Sequence, residues 1–303
     1  MNKKLSKFDI LLVLGFIFTL IVGVGAFFFG LQTGKEQIDA KYKAVLAELT
    51  DERNSENISY HQQQLVSFYH TVLLPFREFQ DTWFRHMETI ETGGSTTDAD
   101  ALLKELGRLA REKTNEIKPM TIPEASPLLQ DAQKNYLKSL TLFAEAADRL
   151  QSGPDGKALA ETVRQDGYVA EASGYALEAQ AQYYEAIWKW HEANDPGIAG
   201  TELVGKPNLT FDEWRTLPLN GKNVFLANAL QSLGTFVPFY PQDMAARIDD
   251  LDAAGRIGEL QWTDLRSAMS TMLRTGAIRS GDYIHSKEKL YRDETLPQLP
   301  FFH

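Results

Sequence analysis

Cysteine is absent from the 303-residue chain. Without a thiol there is no disulfide framework, thiolate nucleophile, Cys-based zinc site or lipid-bearing N-terminal cysteine. An exported domain that does without disulfides fits a bacterial cell envelope, particularly one with no dedicated oxidising periplasm, better than a eukaryotic cell surface. Clustered positive charge is also missing. The net charge is −10, and no basic patch interrupts it, so no nucleic acid is expected as a partner, because polyphosphate binding relies on Lys and Arg that release counterions. The same charge disfavours anionic headgroups and wall polymers and leaves proteins, cations and neutral ligands. Glycine-rich phosphate loops and the Gly-x-Ser-x-Gly elbow do not occur. None of the six histidines stands in a His-Glu-x-x-His or Glu-x-x-His spacing, so neither a zinc hydrolase nor a di-iron bundle is indicated. No catalytic signature is legible, and no catalytic residue is assigned.

What the chain does have is one long apolar run, Ile10 to Leu31, preceded by Lys3, Lys4 and Lys7. At about 1.5 Å per residue a helix over this run covers the roughly 30 Å hydrocarbon core of a bilayer. Residues 1–34 are therefore expected to be a cytoplasmic tail and transmembrane anchor, with residues 10–31 in the lipid bilayer. The lysines hold the N-terminus inside by the positive-inside rule. A cleavable signal is the rival reading, with Val24-Gly25-Ala26 as its cleavage site. The run continues through Phe27, Phe28 and Phe29 and exceeds the usual signal core of about 7–15 residues, which favours a retained signal-anchor. Ala26, Gly30 and Gly34 recur at the small-xxx-small spacing that lets membrane helices approach, so a homodimer is one expectation.

The rest reads as helical throughout, and the fold class expected is all-α. Residues 35–60 form a polar stalk carrying Ile38, Tyr42, Val45, Leu46 and Leu49 at helical spacing. Residues 61–197 are read as an antiparallel bundle of four helices. The first carries Leu65, Phe68, Val72, Phe76, Phe79, Trp83, Met87 and Ile90, with a kink near Val72 to Leu74 imposed by Pro75. A second ends near Ile117 and a third runs from Leu128 to Leu150. The fourth is read as one helix from Leu159 to Trp190, its alanines (Ala172, Ala176, Ala179, Ala186) permitting close packing. After a glycine-containing linker, residues 208–303 are read as a small helical C-terminal domain opened by the capping box Thr210-Phe-Asp-Glu213. Its tail, Leu296 to His303, is expected to lie extended on the surface.

Two patterns carry candidate chemistry. Asp250-Leu-Asp-Ala-Ala-Gly-Arg-Ile-Gly-Glu-Leu-Gln261 resembles an EF-hand calcium loop, with Asp250 and Asp252 at the first and third ligand positions and Gly255 at the turn. Ala254 and Gln261 stand where that loop supplies two further oxygen ligands, so calcium is the one cofactor left open and no other is expected. The aromatic residues Tyr183, Tyr184, Trp188, Trp190, Trp214 and Trp262, with Phe236 to Tyr240, are first of all core candidates and secondly a surface for a sugar, peptide or partner helix. The function these features support is an extracytoplasmic interaction or assembly protein of a bacterial cell envelope, held to the membrane by a single pass and bound to other envelope proteins. The alternatives are a tethered envelope hydrolase, with Glu213 and Asp243 as acid and base in a cleft between the two units, and a calcium or ligand sensor subunit.

Overall fold

The computed structural model describes residues 60–92, 98–151, 156–198, 200 and 202–303. The anchor expected at residues 10–31, the series Ala26, Gly30 and Gly34, and the stalk up to residue 59 lie outside the described residues. Those described belong to one compact unit, Ile58–His303. They form helices and turns, with no strand among the described residues, as the all-α reading requires.

Helix α1, Gln62–Phe68, passes through a π-helical turn, Tyr69–Leu73, into α2, Leu74–Thr92. Pro75 has no N–H for the Thr71 carbonyl, and its ring crowds that oxygen. The widened turn just before it is the form the expected kink takes. Helix α3, Ala99–Ile117, begins at Asp98, whose side chain accepts from Ala101 N at 2.9 Å. Helix α4, Pro127–Leu150, follows.

The single helix expected from Leu159 to Trp190 is corrected to two, α5 (Gly156–Gln165) and α6 (Gly167–Asn194). Asp166 between them is extended, and its Oδ1 accepts from Tyr168 N at 2.9 Å and Val169 N at 3.1 Å. A carboxylate that satisfies the free N–H groups of a helix start competes directly with continuation of the helix before it.

Helix α4 packs along α6 and against α3, and α2 packs on α3 and α5. The aromatic face of α2 meets α4: ring centroids lie 4.4 Å apart for Phe76 and Tyr136 and 4.5 Å for Trp83 and Phe143. On α6, Ala172, Ala176, Ala179 and Ala186 are buried, and these small side chains let the α4 backbone approach. Each buried aromatic contributes about 1.5–3 kcal/mol by leaving water.

Beyond a short 3-10 turn at Pro196–Ile198 come α7 (Phe211–Thr216), α8 (Leu219–Leu233), α9 (Pro241–Ala253), α10 (Leu265–Thr275) and α11 (Asp282–Leu290). Thr210 opens α7 by the expected reciprocal box, Glu213 N to Thr210 Oγ1 at 3.2 Å and Thr210 N to Glu213 Oε2 at 2.8 Å. Helix α8 packs on α6, where a side chain on Gly221 would stand 3.2 Å from the Trp188 ring and 3.1 Å from Leu203. Glycine is what permits this contact. The helices on the two sides of residue 208 thus share a continuous apolar core.

The tail is the second correction. Leu299, Phe301 and Phe302 are buried, and Pro300–Phe302 forms a 3-10 turn. Phe301 lies among Tyr69, Tyr183, Tyr184 and Tyr240, the last a stacked pair at 5.2 Å. Tyr283 donates its hydroxyl to the Phe302 carbonyl at 3.3 Å. Two prolines keep this segment from forming an α-helix but do not keep it on the surface. Its phenylalanines are drawn into the core by the same apolar transfer that buries the α2 face.

Candidate functional site

The calcium-loop candidates are placed on α9, each turned to a cation of the protein. Asp250 Oδ1 lies 2.8 Å from Lys289 Nζ. Asp252 forms a two-pronged pair with Arg215, at 2.8 Å to Nε and 2.7 Å to Nη2. That pair holds the Asp252 carboxyl below its usual range. Gly255, at φ 70°, caps α9, and the next amide, Arg256 N, donates to the Leu251 carbonyl at 3.0 Å. Among the described residues no group of three or more His, Asp or Glu side chains converges as a metal would need.

The acids suggested for a hydrolase are also engaged by other groups. Glu213 is a helix cap and lies 2.8 Å from Lys206 Nζ; the lysine first, then Thr210, pulls its carboxyl down to about 2. Asp243 is buried in the first turn of α9. Its Oδ2 accepts from Tyr240 N at 3.0 Å, and its Oδ1 from Gly281 N and Tyr283 N, both at 3.1 Å. Burial pushes this carboxyl up despite those three donors. Each acid has the partners of a structural group.

The aromatic residues singled out by sequence are mostly interior. Trp188, Trp190, Trp214, Trp262, Tyr183, Tyr184 and Phe239 are buried, while Phe236 and Tyr240 are half-buried. Arg77 stacks on Tyr240 with its guanidinium carbon 3.9 Å from the ring centroid and donates to Gln80 Oε1 at 3.0 Å. Gln80 in turn donates to the Val237 carbonyl at 2.7 Å. Residues 236–240 are thereby tied to α2.

A buried polar cluster joins α6, α7, α8, α9 and the stretch after α11. Asp249 Oδ1 accepts from Trp214 Nε1 at 2.6 Å, and its Oδ2 accepts from Lys222 Nζ at 2.8 Å and from the Tyr291 hydroxyl. Nearby, Asn220 Nδ2 donates to the Thr295 carbonyl at 3.0 Å and lies 3.1 Å from His191 Nδ1. An amide nitrogen only donates, so His191 Nδ1 accepts and the ring is neutral with its proton on Nε2. Burial lowers the His191 pKa below 6.5, and Asp195 and Glu192 offset this only in part. The unfolded chain therefore binds the proton more readily, and stability contributed by the neutral ring is present above pH 6.5 and lost as pH falls below it. Urea unfolding at a series of pH values should show stability declining below that pH, with a smaller decline in His191→Leu; an unchanged slope in the variant would assign the effect elsewhere.

One concavity stands out by its lining. A groove of about 690 Å³ runs between α2, α5 and α6, with Gly234 and Phe236 also in its lining. Its wall carries Trp83, Phe84, Met87, Val163, Val169 and Phe236, and its rim carries Glu88, Glu91 and Arg164. Phe84 and Phe236 lie 5.2 Å apart, and Phe143 backs the wall at 5.8 Å from Phe236. This size lies within the range of about 300–1,000 Å³ usual for small-molecule sites. Sequence reasoning placed Trp83 and Met87 on a buried face but passed over Phe84 and Glu88. Their only signal is that they stand beside the apolar stripe of α2 rather than within it.

No family model, curated protein or solved structure matches this chain, so the reading of the site rests on the chain's own residues.

Proposed function

We propose that this chain is a single-pass membrane protein of a bacterial cell envelope, with its N-terminus in the cytoplasm and an extracytoplasmic helical part that serves in interaction or assembly with other envelope proteins. The observation that carries the reading is the apolar run Ile10 to Leu31 behind Lys3, Lys4 and Lys7. In this reading the extracytoplasmic part is the all-helical unit described above, with α5 and α6 in place of the single fourth helix and one core shared by the helices before and after residue 208. No helix among the described residues is long and apolar enough to cross a membrane, and the proposed span, the N-terminal run, lies outside them. The engagement of Asp243, Asp250, Asp252 and Glu213 in caps and ion pairs supports a binding role over a hydrolytic one.

The test is extraction and topology. The full chain should stay in the membrane pellet at alkaline pH, a variant lacking residues 10–31 should leave it, and added protease should reach residues 60–303 only from the extracytoplasmic side. Crosslinking in intact cells should retrieve an envelope protein. A full chain found in the soluble fraction would overturn the anchor, and a chain that crosslinks to nothing would overturn the interaction role.

A further inference from the structure

The groove between α2, α5 and α6 has a charge pattern as well as a shape. Its three charged rim groups are not equivalent. Arg164 lies 2.6 Å from Glu91 and 3.1 Å from Glu161, so its cation is already shared by two carboxylates, one of them on the rim. Glu88 differs. It is exposed on α2, and among the described residues no ion pair or side-chain hydrogen bond falls on its carboxylate. The groove thus has a wall of aromatic and aliphatic side chains and one uncommitted negative charge at its mouth.

That combination selects a ligand chemistry. Aromatic faces are negative at their centres and attract a cation held over them, and a nearby carboxylate adds to the attraction. The apolar wall requires a hydrophobic body, which leaves water when it enters. An anionic amphiphile would be repelled by Glu88, and a neutral one would gain nothing from it. We propose that this groove is a binding site for a small hydrophobic cation, an aryl- or alkylammonium compound, with its apolar body against Trp83, Phe84 and Phe236 and its ammonium group at Glu88. The site depends on residues of α2, α5, α6 and the α8–α9 connection, and its occupation is independent of how the chain is anchored.

Three probes share one apolar body and differ in charge: 4-phenylbutylamine, 4-phenylbutanol and 4-phenylbutyrate. They are titrated by calorimetry into the full chain in phosphatidylcholine nanodiscs, with empty nanodiscs as the blank. The amine should bind more tightly than the alcohol, and the alcohol more tightly than the carboxylate. Glu88→Gln should weaken the amine by about fivefold while leaving the alcohol unchanged, as loss of one partly exposed charge partner implies. Glu88→Lys should invert the order of amine and carboxylate. Glu88 is exposed, so both variants should retain the fold, as thermal unfolding checks. Binding of all three probes alike, a preference for the carboxylate, no binding of the amine above the blank, or an amine affinity indifferent to Glu88→Lys would each overturn the proposal.

Discussion

Replacing Phe302 with alanine should destabilise the protein by about 3–5 kcal/mol, the cost of deleting a fully buried aromatic and leaving a cavity. The side chain has no exposure to solvent and lies against Tyr283 and Phe301, at 5.9 and 4.6 Å between ring centroids. The neighbours cannot readily collapse into the space. Tyr283 is held by its hydrogen bond to the Phe302 carbonyl, which the alanine variant retains, and Phe301 is wedged among four tyrosines. The measurement is the urea midpoint, read by circular dichroism, with the slope of the transition checked to be unchanged. A loss below about 1 kcal/mol, the level of an ordinary surface substitution, would mean that the segment is not part of the core.

Asp249→Ala should cost a similar amount for a different reason. Asp249 and Lys222 are both nearly buried, with side-chain exposures of 11% and 10%. Removing the carboxylate leaves an ammonium group without its counter-charge and takes the acceptor from Trp214 and Tyr291 as well. Breaking such a pair costs about 3–5 kcal/mol, whereas replacing both members by apolar groups is often neutral. The double variant Lys222→Met/Asp249→Leu should therefore be more stable than Asp249→Ala alone, although Trp214 and Tyr291 still lack their acceptor. If the double variant were the less stable of the two, the single variant's loss would lie in packing rather than in the stranded charge.

Both predictions depend on features that differ in how far the sequence discloses them. The helices of the described region follow from apolar spacing, because residues three and four apart share a face and a stripe such as Phe76, Phe79, Trp83 and Ile90 has one stable orientation. Local chemistry also marks some ends, as with Thr210 and Glu213. Asp166 is the instructive miss. Apolar residues continue on both sides of it, but the step from Val163 to Val169 is too long for one face, and the Asp-Gly pair inside that gap is the trace of the break. The tail escaped for another reason. Proline speaks to backbone conformation and says nothing of whether Phe301 and Phe302 find room in a core assembled from the π-helical turn, α6, Tyr240 and α11. Site chemistry is least legible. The partners of Asp252 and Asp250 stand 37 and 39 residues away, and the groove joins α2 to Phe236 across most of the described chain, so no local pattern announces either.

The hydrogen bonds that tie remote stretches together have a kinetic consequence. Tyr183 donates to the Leu65 carbonyl across 118 residues, Arg77 to the Pro238 carbonyl across 161, and Gln298 N to Gln62 Oε1 across 236. Each contact closes a long loop, and the entropy of closure is spent before the contact returns anything. Among helical proteins, those with mostly local contacts fold fastest, and a rising mean separation between contacting residues slows the search. The individual helices of this chain should form within microseconds. Docking of the 236–240 stretch onto α2, and of Phe301 onto Tyr69, Tyr183 and Tyr184, should then set the rate at which the native state appears. Until Phe301 docks, the tyrosines it packs against, Tyr69, Tyr183, Tyr184 and Tyr240, lack its cover.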